Sequence, residues 1–279
     1  MIDIIFRFDP ADAGRAASPR TASEALRDLN EGNRCFANLL STEGVGASEV
    51  IRCDPAWAGL SGATPPQRPF SAVLGCADAR VPVELIFQRA VNDLFIVRVA
   101  GNILTTEGLG SLEFARENLG ESLRLMVVLG HTSCGAVTAA VDAYLSPETY
   151  FSIATTHGLR ALVDNILVAV RVAELALSNA YGAGVRERPG FREALLGMTI
   201  VTNAAFSAMG LRRELSLGAD EVAFGVYDLL TRRVFVPSER GSEGGLALPP
   251  DDLAGLSALG LATARSPFIA SLLDGVTAR

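Results

Sequence analysis

Along this chain the hydrophobic positions switch between two spacings. Two short apolar runs, Ser71-Ala-Val-Leu-Gly75 and Leu125-Met-Val-Val-Leu-Gly130, are of strand length and show no alternating polar face. Runs of this kind are buried on both sides and predict strands of a parallel sheet. Asp93 to Ala100 reads as a third strand, and Glu221 to Tyr227 with Arg233 to Val236 as a strand and hairpin. Helical spacing first appears at Ala25, Leu26, Leu29, Phe36, Leu39 and Leu40, behind a capping box at Thr21-Ala-Ser-Glu24. Pro82 suits the first turn of a helix with Glu84 near its positive end, and Thr105 or Thr106 caps a helix closing at Gly120. A helix from Gly135 to about Tyr144 follows, then a loop over 146–158. Two long helical patterns, around 159–180 and 199–217, are separated by a Gly/Pro-bearing break at Tyr181–Gly190.

Strands alternating with helices predict an α/β fold: a central, mostly parallel β-sheet flanked by helices, with an N-terminal helical arm. The expected plan is a flexible lead over 1–20, a main domain over 21–237 whose first part (21–62) is the arm, and a linker with a C-terminal extension over 238–279. Gly241-Ser-Glu-Gly-Gly245 is the linker, and the apolar tail beyond it docks at a place the pattern does not specify. No internal repeat, low-complexity tract or nucleotide-binding fingerprint interrupts this plan.

The first two runs end in chemistry. One continues as Cys76-Ala-Asp78-Ala-Arg80, the other as His131-Thr-Ser-Cys134-Gly135. In an open α/β sheet the site forms beyond the carboxyl ends of the strands, so adjacent strands of this design bring Cys76, His131 and Cys134 to one point. Thiolate and imidazole are preferred zinc ligands, and two cysteines with one histidine form a catalytic set that leaves a fourth position for water. The chain has only 2 His and 4 Cys, yet one of each falls three residues apart. Singly, Cys76 and Cys134 would read as buried small hydrophobes and His131 as a loop histidine. Together they predict a zinc site. Bound zinc lowers the pKa of water from about 15.7 to about 7, which points to hydration or hydrolysis. Two thiolates cancel the charge of the ion, so the expected activity rises toward alkaline pH. Asp78 and Arg80 add what a structural zinc site would not need: a guanidinium fork holding a carboxylate that orients the nucleophile.

Cys76-x-Asp78-x-Arg80 followed by His131-x-x-Cys134 resembles the signature of the β-class carbonic anhydrases. The resemblance extends to Asp93-Leu-Phe-Ile-Val-Arg98-Val-Ala-Gly-Asn102, to Gly130-His-Thr-Ser-Cys-Gly-Ala136, to Gly225-Val-Tyr-Asp228 and to the early Ala25-Leu-Arg-Asp-Leu-Asn-Glu-Gly-Asn33. It covers roughly residues 21–237. It implies a zinc enzyme that hydrates carbon dioxide reversibly to bicarbonate and a proton, with Cys76, His131 and Cys134 on the metal and Asp78 and Arg80 catalytic. It also implies substrate contacts. Gln67, nine residues before Cys76, stands where plant-type members carry an active-site glutamine. Phe95 corresponds to an apolar wall of the carbon dioxide pocket, and Gly135 lies in the second ligand loop. The N-terminal helix could pack on its own domain or on a partner subunit; the resemblance suggests the partner, in a homodimer or a dimer-based higher oligomer.

Released from Arg80, Asp78 would become the fourth metal ligand and close the site, as in some members; Gln67 and Phe95 favour the open form. Two other readings stay open. A hydrolase of carbon disulfide or carbonyl sulfide shares the signature, and a closed, non-catalytic zinc site would take Cys35, Cys53 or His157 as its fourth ligand. His157 is otherwise a candidate proton shuttle.

Bulk properties bound the partners. Hydrophobic residues make up 49% and the mean hydropathy is +0.31, enough for a large core and a buried subunit contact. A net charge of −7 argues against nucleic acid. The most apolar long stretch, Leu159 to Leu177, is interrupted by Asp164, Arg171 and Glu174, so no membrane span is expected. Met1 to Asp9 shows no basic start with a signal-length apolar run, and the cysteines are claimed by a metal, so the cytoplasm is the expected location.

Overall fold

The computed structural model describes residues 2–8, 18–39, 41, 48–59, 62–153 and 155–275. Strand β1 (Asp3–Phe8), helix α1 (Ala22–Leu39) and strand β2 (Ser48–Cys53) come first. β1 and β2 pair in parallel, from Asp3 opposite Ser48 to Phe8 opposite Cys53, as a separate two-stranded ribbon. Residues 3–8 are thus a strand rather than a flexible lead; their partner comes from beyond α1, where no local pattern reports it. Residues 1 and 9–17 of that lead lie outside the described residues. The predicted arm is α-helical only to Leu39, with strand β2 and a single 3-10 turn at Pro55–Ala58 beyond it.

The capping box forms as predicted at its first bond, Glu24 N–H to Thr21 Oγ1 at 3.2 Å, while the Glu24 carboxylate returns to Arg20 N–H at 2.7 Å. The apolar stripe of α1, Ala22, Ala25, Leu29 and Phe36, packs with Val73, Leu125, Val127 and Leu129. α1 therefore covers one face of its own sheet, where the resemblance implies a partner subunit.

The main sheet contains β3 (Ser71–Gly75), β4 (Leu94–Arg98), β5 (Leu125–His131), β6 (Val222–Tyr227), β7 (Val234–Ser238) and β8 (Gly241–Gly244), in the order β4-β3-β5-β6-β7-β8. β4, β3, β5 and β6 run parallel, and β7 and β8 complete the sheet antiparallel. Every residue of β3 and β5 is buried, as expected of strands covered on both faces. Short α2 (Val83–Ile86) and α3 (Thr106–Leu119) flank β4; the Thr105 hydroxyl caps α3 through Gly108 N–H. The other face is covered by α4 (Gly135–Leu145), α6 (His157–Tyr181) and α7 (Phe191–Glu214), with α5 (Pro147–Ile153) joining α4 to α6. α5 occupies part of the expected 146–158 loop. α7 starts at Phe191 because the irregular stretch ends at Gly190, eight residues before the expected helix. α7 is long and apolar enough to cross a membrane, but 78% of that window is buried inside the fold, the position of a core helix.

The Gly-rich segment read as a linker is β8. Gly241 at φ +110° makes the tight turn from β7, and Ser238 to Phe235 pair with Gly241 to Gly244. The tail then folds into α8 (Leu253–Ala264) and α9 (Pro267–Leu273), whose buried Leu256, Ile269 and Leu273 join the core made by α6 and α7. Residues 238–275 are therefore continuous with the main sheet and core, not an appendage to them.

Candidate metal centre

Register delivers the ligands. Gly75 pairs with Leu129, so Cys76 leaves β3 level with Gly130 and beside His131, the last residue of β5. Arg98, at the end of the neighbouring β4, donates from Nε to the Cys76 carbonyl at 2.9 Å and from Nη2 to the Asp78 carbonyl at 2.5 Å. That clamp holds the turn Cys76–Asp78 against the sheet. Ser133, at φ +56°, bends the second loop so that Cys134 enters the N-terminus of α4.

The Cys76 and Cys134 sulfurs and a His131 ring nitrogen all lie within 4.8 Å of one another, and all three residues are buried. The two sulfurs are 4.0 Å apart, close to the roughly 3.8 Å separation of two thiolates on a tetrahedral ion with metal–sulfur bonds of about 2.3 Å. His131 Nδ1 lies 2.9 Å from the Thr132 carbonyl, which only accepts, so Nδ1 carries the proton and the Nε2 lone pair is free. That Nε2 is buried and has no hydrogen-bond partner. An orphaned buried imidazole nitrogen facing two sulfurs is unsatisfied polar surface unless a cation meets it. The donor set fits a metal.

The thiols divide one proton between them. Cys76 is held far below the ordinary thiol range, chiefly because the Cys134 thiol donates to it, with the backbone N–H groups of Asp78 and Gly101 adding to the effect against burial. The same contact, and then burial, pushes Cys134 up, although the N–H groups of Val137 and Ala136 oppose this. A cation held by Cys76 and Cys134 would displace that proton, so its uptake would depend on pH.

Arg80 grips Asp78 three times: backbone N–H to Oδ1 at 2.8 Å, Nε to Oδ1 at 3.0 Å, and Nη2 to Oδ2 at 2.7 Å. Its Nη2 also reaches the Ser133 carbonyl at 3.3 Å, tying the first ligand turn to the second. These bonds hold the Asp78 carboxyl far below the usual carboxylate range. Asp78 Oδ2 stands 3.9 Å from His131 Nε2, yet the carboxylate is not within 4.8 Å of all three ligand atoms.

The other predicted residues are dispersed. Phe95 is half-buried on β4 and packs against the apolar cluster that contains Cys76 and Cys134. Gly135, first residue of α4, is exposed, and a Cβ there would meet nothing within 4 Å. Gln67 is exposed in the segment leading into β3, so about 17 Å of strand separates it from the Cys76 end of the same chain. Among the described residues, Cys35, Cys53 and His157 do not join the ligand group: the Cys35 thiol reaches Glu31, the Cys53 thiol reaches the Ile51 carbonyl, and His157 is exposed at the start of α6. Arg98 and Gly101, whose N–H donates to Cys76 Sγ at 3.3 Å, went unassigned in the sequence. Their only trace is a charge and a glycine at the end of an apolar strand.

A parallel α/β sheet that collects two thiolates and an imidazole at adjacent strand ends, beside a locked carboxylate, defines a metal-site protein of the α/β class. The sequence model of the carbonic anhydrase family matches residues 71–179, from β3 into α6 and through all three ligands. The chain is 46% identical over 181 residues to a carbonic anhydrase of Mycolicibacterium smegmatis, covering 65% of this chain and 81% of that protein. It is 48% identical over 77 residues to carbonic anhydrase 2 of Mycobacterium tuberculosis, a match that spans 28% of this chain and 36% of that protein's length. Among solved structures, a Coccomyxa β-carbonic anhydrase in complex with acetazolamide is similar over 81% of this chain and 90% of that one, at 18% identity and a TM-score of 0.49. The chain belongs to the carbonic anhydrase family.

Proposed function

We propose that this protein is a zinc enzyme that hydrates carbon dioxide reversibly to bicarbonate and a proton. The observation that carries the reading is the buried Cys76–His131–Cys134 group with its unpartnered Nε2, set beside a carboxylate that is excluded from the group. Zinc held by these three residues would supply a hydroxide nucleophile near neutral pH by lowering the pKa of water.

The chain's own residues then direct that nucleophile. Arg80 keeps Asp78 ionised, so Asp78 can only accept hydrogen bonds and does not take the proton. Three of its four lone-pair positions face Arg80, which leaves one to accept from the nucleophile and turn its reactive lone pair toward carbon dioxide. The same grip keeps the carboxylate off the metal, and supports the open form. Open space around Gly135, next to Cys134, and the packing of Phe95 on the apolar cluster that holds Cys76 support their reading as substrate contacts. Stopped-flow carbon dioxide hydration, run beside a sulfide-release assay with carbon disulfide and carbonyl sulfide, tests the substrate. Turnover of the sulfur compounds alone would overturn the reading.

A homodimer or a dimer-based higher oligomer is part of the proposal. β4 is an open edge of the sheet whose Leu94, Phe95, Ile96 and Val97 are only half-buried in one chain, a surface that a second copy would cover. Sedimentation as a monomer at micromolar concentration would contradict this. We propose the reducing cytoplasm as its location, because the Cys76–His131–Cys134 group needs its two cysteines as thiols; recovery from an oxidising compartment would exclude that location.

A further inference from the structure

The two metal thiolates are held by unequal supports. Cys134 is the N-cap residue of α4 and is fixed by the helix that begins with it. Cys76 receives the N–H of Gly101 at 3.3 Å, from an irregular turn after β4. Gly101 stands at φ +69° and Asn102 at φ +46°, both left-handed. A Cβ at Gly101 would lie 2.8 Å from Ile166 Cδ1 and 3.2 Å from Ala136 Cβ, so the position requires glycine. Glycine is also the residue least able to fix its own peptide.

Asn203 provides the missing constraint. It is buried in the middle of α7 and donates Nδ2–H to the Gly101 carbonyl at 2.8 Å, across 102 residues of sequence. Because that carbonyl can only accept, the amide must present its nitrogen there. Nearby buried Thr199 spends its hydroxyl within α7, on the Leu195 carbonyl at 2.7 Å. Asn203 instead reaches out of the helix to the turn that faces Cys76.

We propose that Asn203 is a positioning residue for the Cys76 thiolate: it anchors the Gly101 carbonyl and so aims the Gly101 N–H at Cys76 Sγ. The inference rests on the metal-centre reading given above. A hydrogen bond to a metal thiolate draws charge from the sulfur and fixes its lone pairs, which governs how tightly, and how acidically, the ion is held.

The test uses full-length protein loaded with cobalt(II) as a spectroscopic stand-in, together with zinc competition against a chromophoric chelator. Asn203→Leu, similar in volume and without a donor, should move the sulfur-to-cobalt charge-transfer band to lower energy and weaken zinc binding about tenfold. Thr199→Val, which removes a buried hydroxyl from the same helix, should leave both unchanged. An Asn203→Leu protein with native circular dichroism and an unshifted band would overturn the proposal. If that variant does not fold, native protein carrying cadmium-113 decides: a scalar coupling between the metal and the Gly101 amide proton supports the N–H···S bond, and its absence refutes it. Native protein that shows no thiolate charge-transfer band at all would instead remove the metal-centre reading on which the inference rests.

Discussion

Gly101→Ala is the substitution that probes the site's construction most sharply. It adds one methyl group to a turn held between Cys76, Ile166 and Ala136. The structure sets its magnitude through two separate effects. An alanine at φ +69° carries a left-handed backbone penalty of about 1–2 kcal/mol. Its Cβ would also press on Ile166 Cδ1 at 2.8 Å and on Ala136 Cβ at 3.2 Å, and overpacking of a buried site adds about 1–3 kcal/mol. Ile166 is fully buried and Ala136 is fixed in the first turn of α4, so neither neighbour yields easily. The expected loss is therefore about 2–5 kcal/mol, a large share of the roughly 5–15 kcal/mol typical of a folded domain. Guanidinium denaturation followed by far-ultraviolet circular dichroism measures it. Gly110→Ala is the matched control: Gly110 is exposed within α3 with nothing within 4 Å of a built Cβ, and alanine there should stabilise by about 0.5–1 kcal/mol. A loss at Gly101 below about 1 kcal/mol, or equal losses at the two sites, would refute the reasoning.

Three further outcomes are expected. Asp78→Asn should lower turnover by about 10–100-fold while zinc content stays at the native level, since the carboxylate orients the nucleophile and does not hold the ion; parallel loss of metal would contradict its role. Because Arg80 makes Asp78 more acidic in the folded chain than in the unfolded one, its contribution to stability is complete above the unfolded value of about 3.9 and is lost as pH falls through the folded value. Denaturation midpoints of Asp78→Asn should accordingly show a shallower decline below about pH 4 than those of the parent, and an unchanged slope would count against the pairing. Asn33→Ala should cost about 2–3 kcal/mol, because Asn33 accepts from Val234 N–H at 2.7 Å and donates to the Ile86 and Arg232 carbonyls, joining α1 to α2 and β7. Its turnover per folded, loaded chain should match the parent's.

The site was more legible in the sequence than the frame around it, for a physical reason. β3 and β5 are buried on both faces, so their apolar runs are unbroken, and both stop at the residues that do chemistry. Ligands delivered by strand ends need only two such runs to be adjacent, which the parallel pairing of β3 with β5 provides. What depended on distant contacts was not legible. β8 reads as a linker because its glycines are chosen for the turn at Gly241 and for edge pairing, not for burial. β1 and β2 pair across α1, and their largely exposed residues carry no core pattern. Asn203 and Arg98 act on backbone carbonyls, which any sequence possesses, so nothing local marks them as partners of the metal turn. The apolar stripe of α1 was legible, but the surface it covers was not: a stripe says that something is buried against it, and Val73 and Val127 of its own sheet turn out to be that something.

The site's chemistry depends on the ion. X-ray absorption at the zinc edge, on native protein purified without added metal, measures it most directly. The prediction is one zinc per chain, with two sulfur neighbours at about 2.3 Å and two nitrogen or oxygen neighbours at about 2.0–2.1 Å. A metal-free protein, or an ion surrounded by oxygen alone, would contradict it.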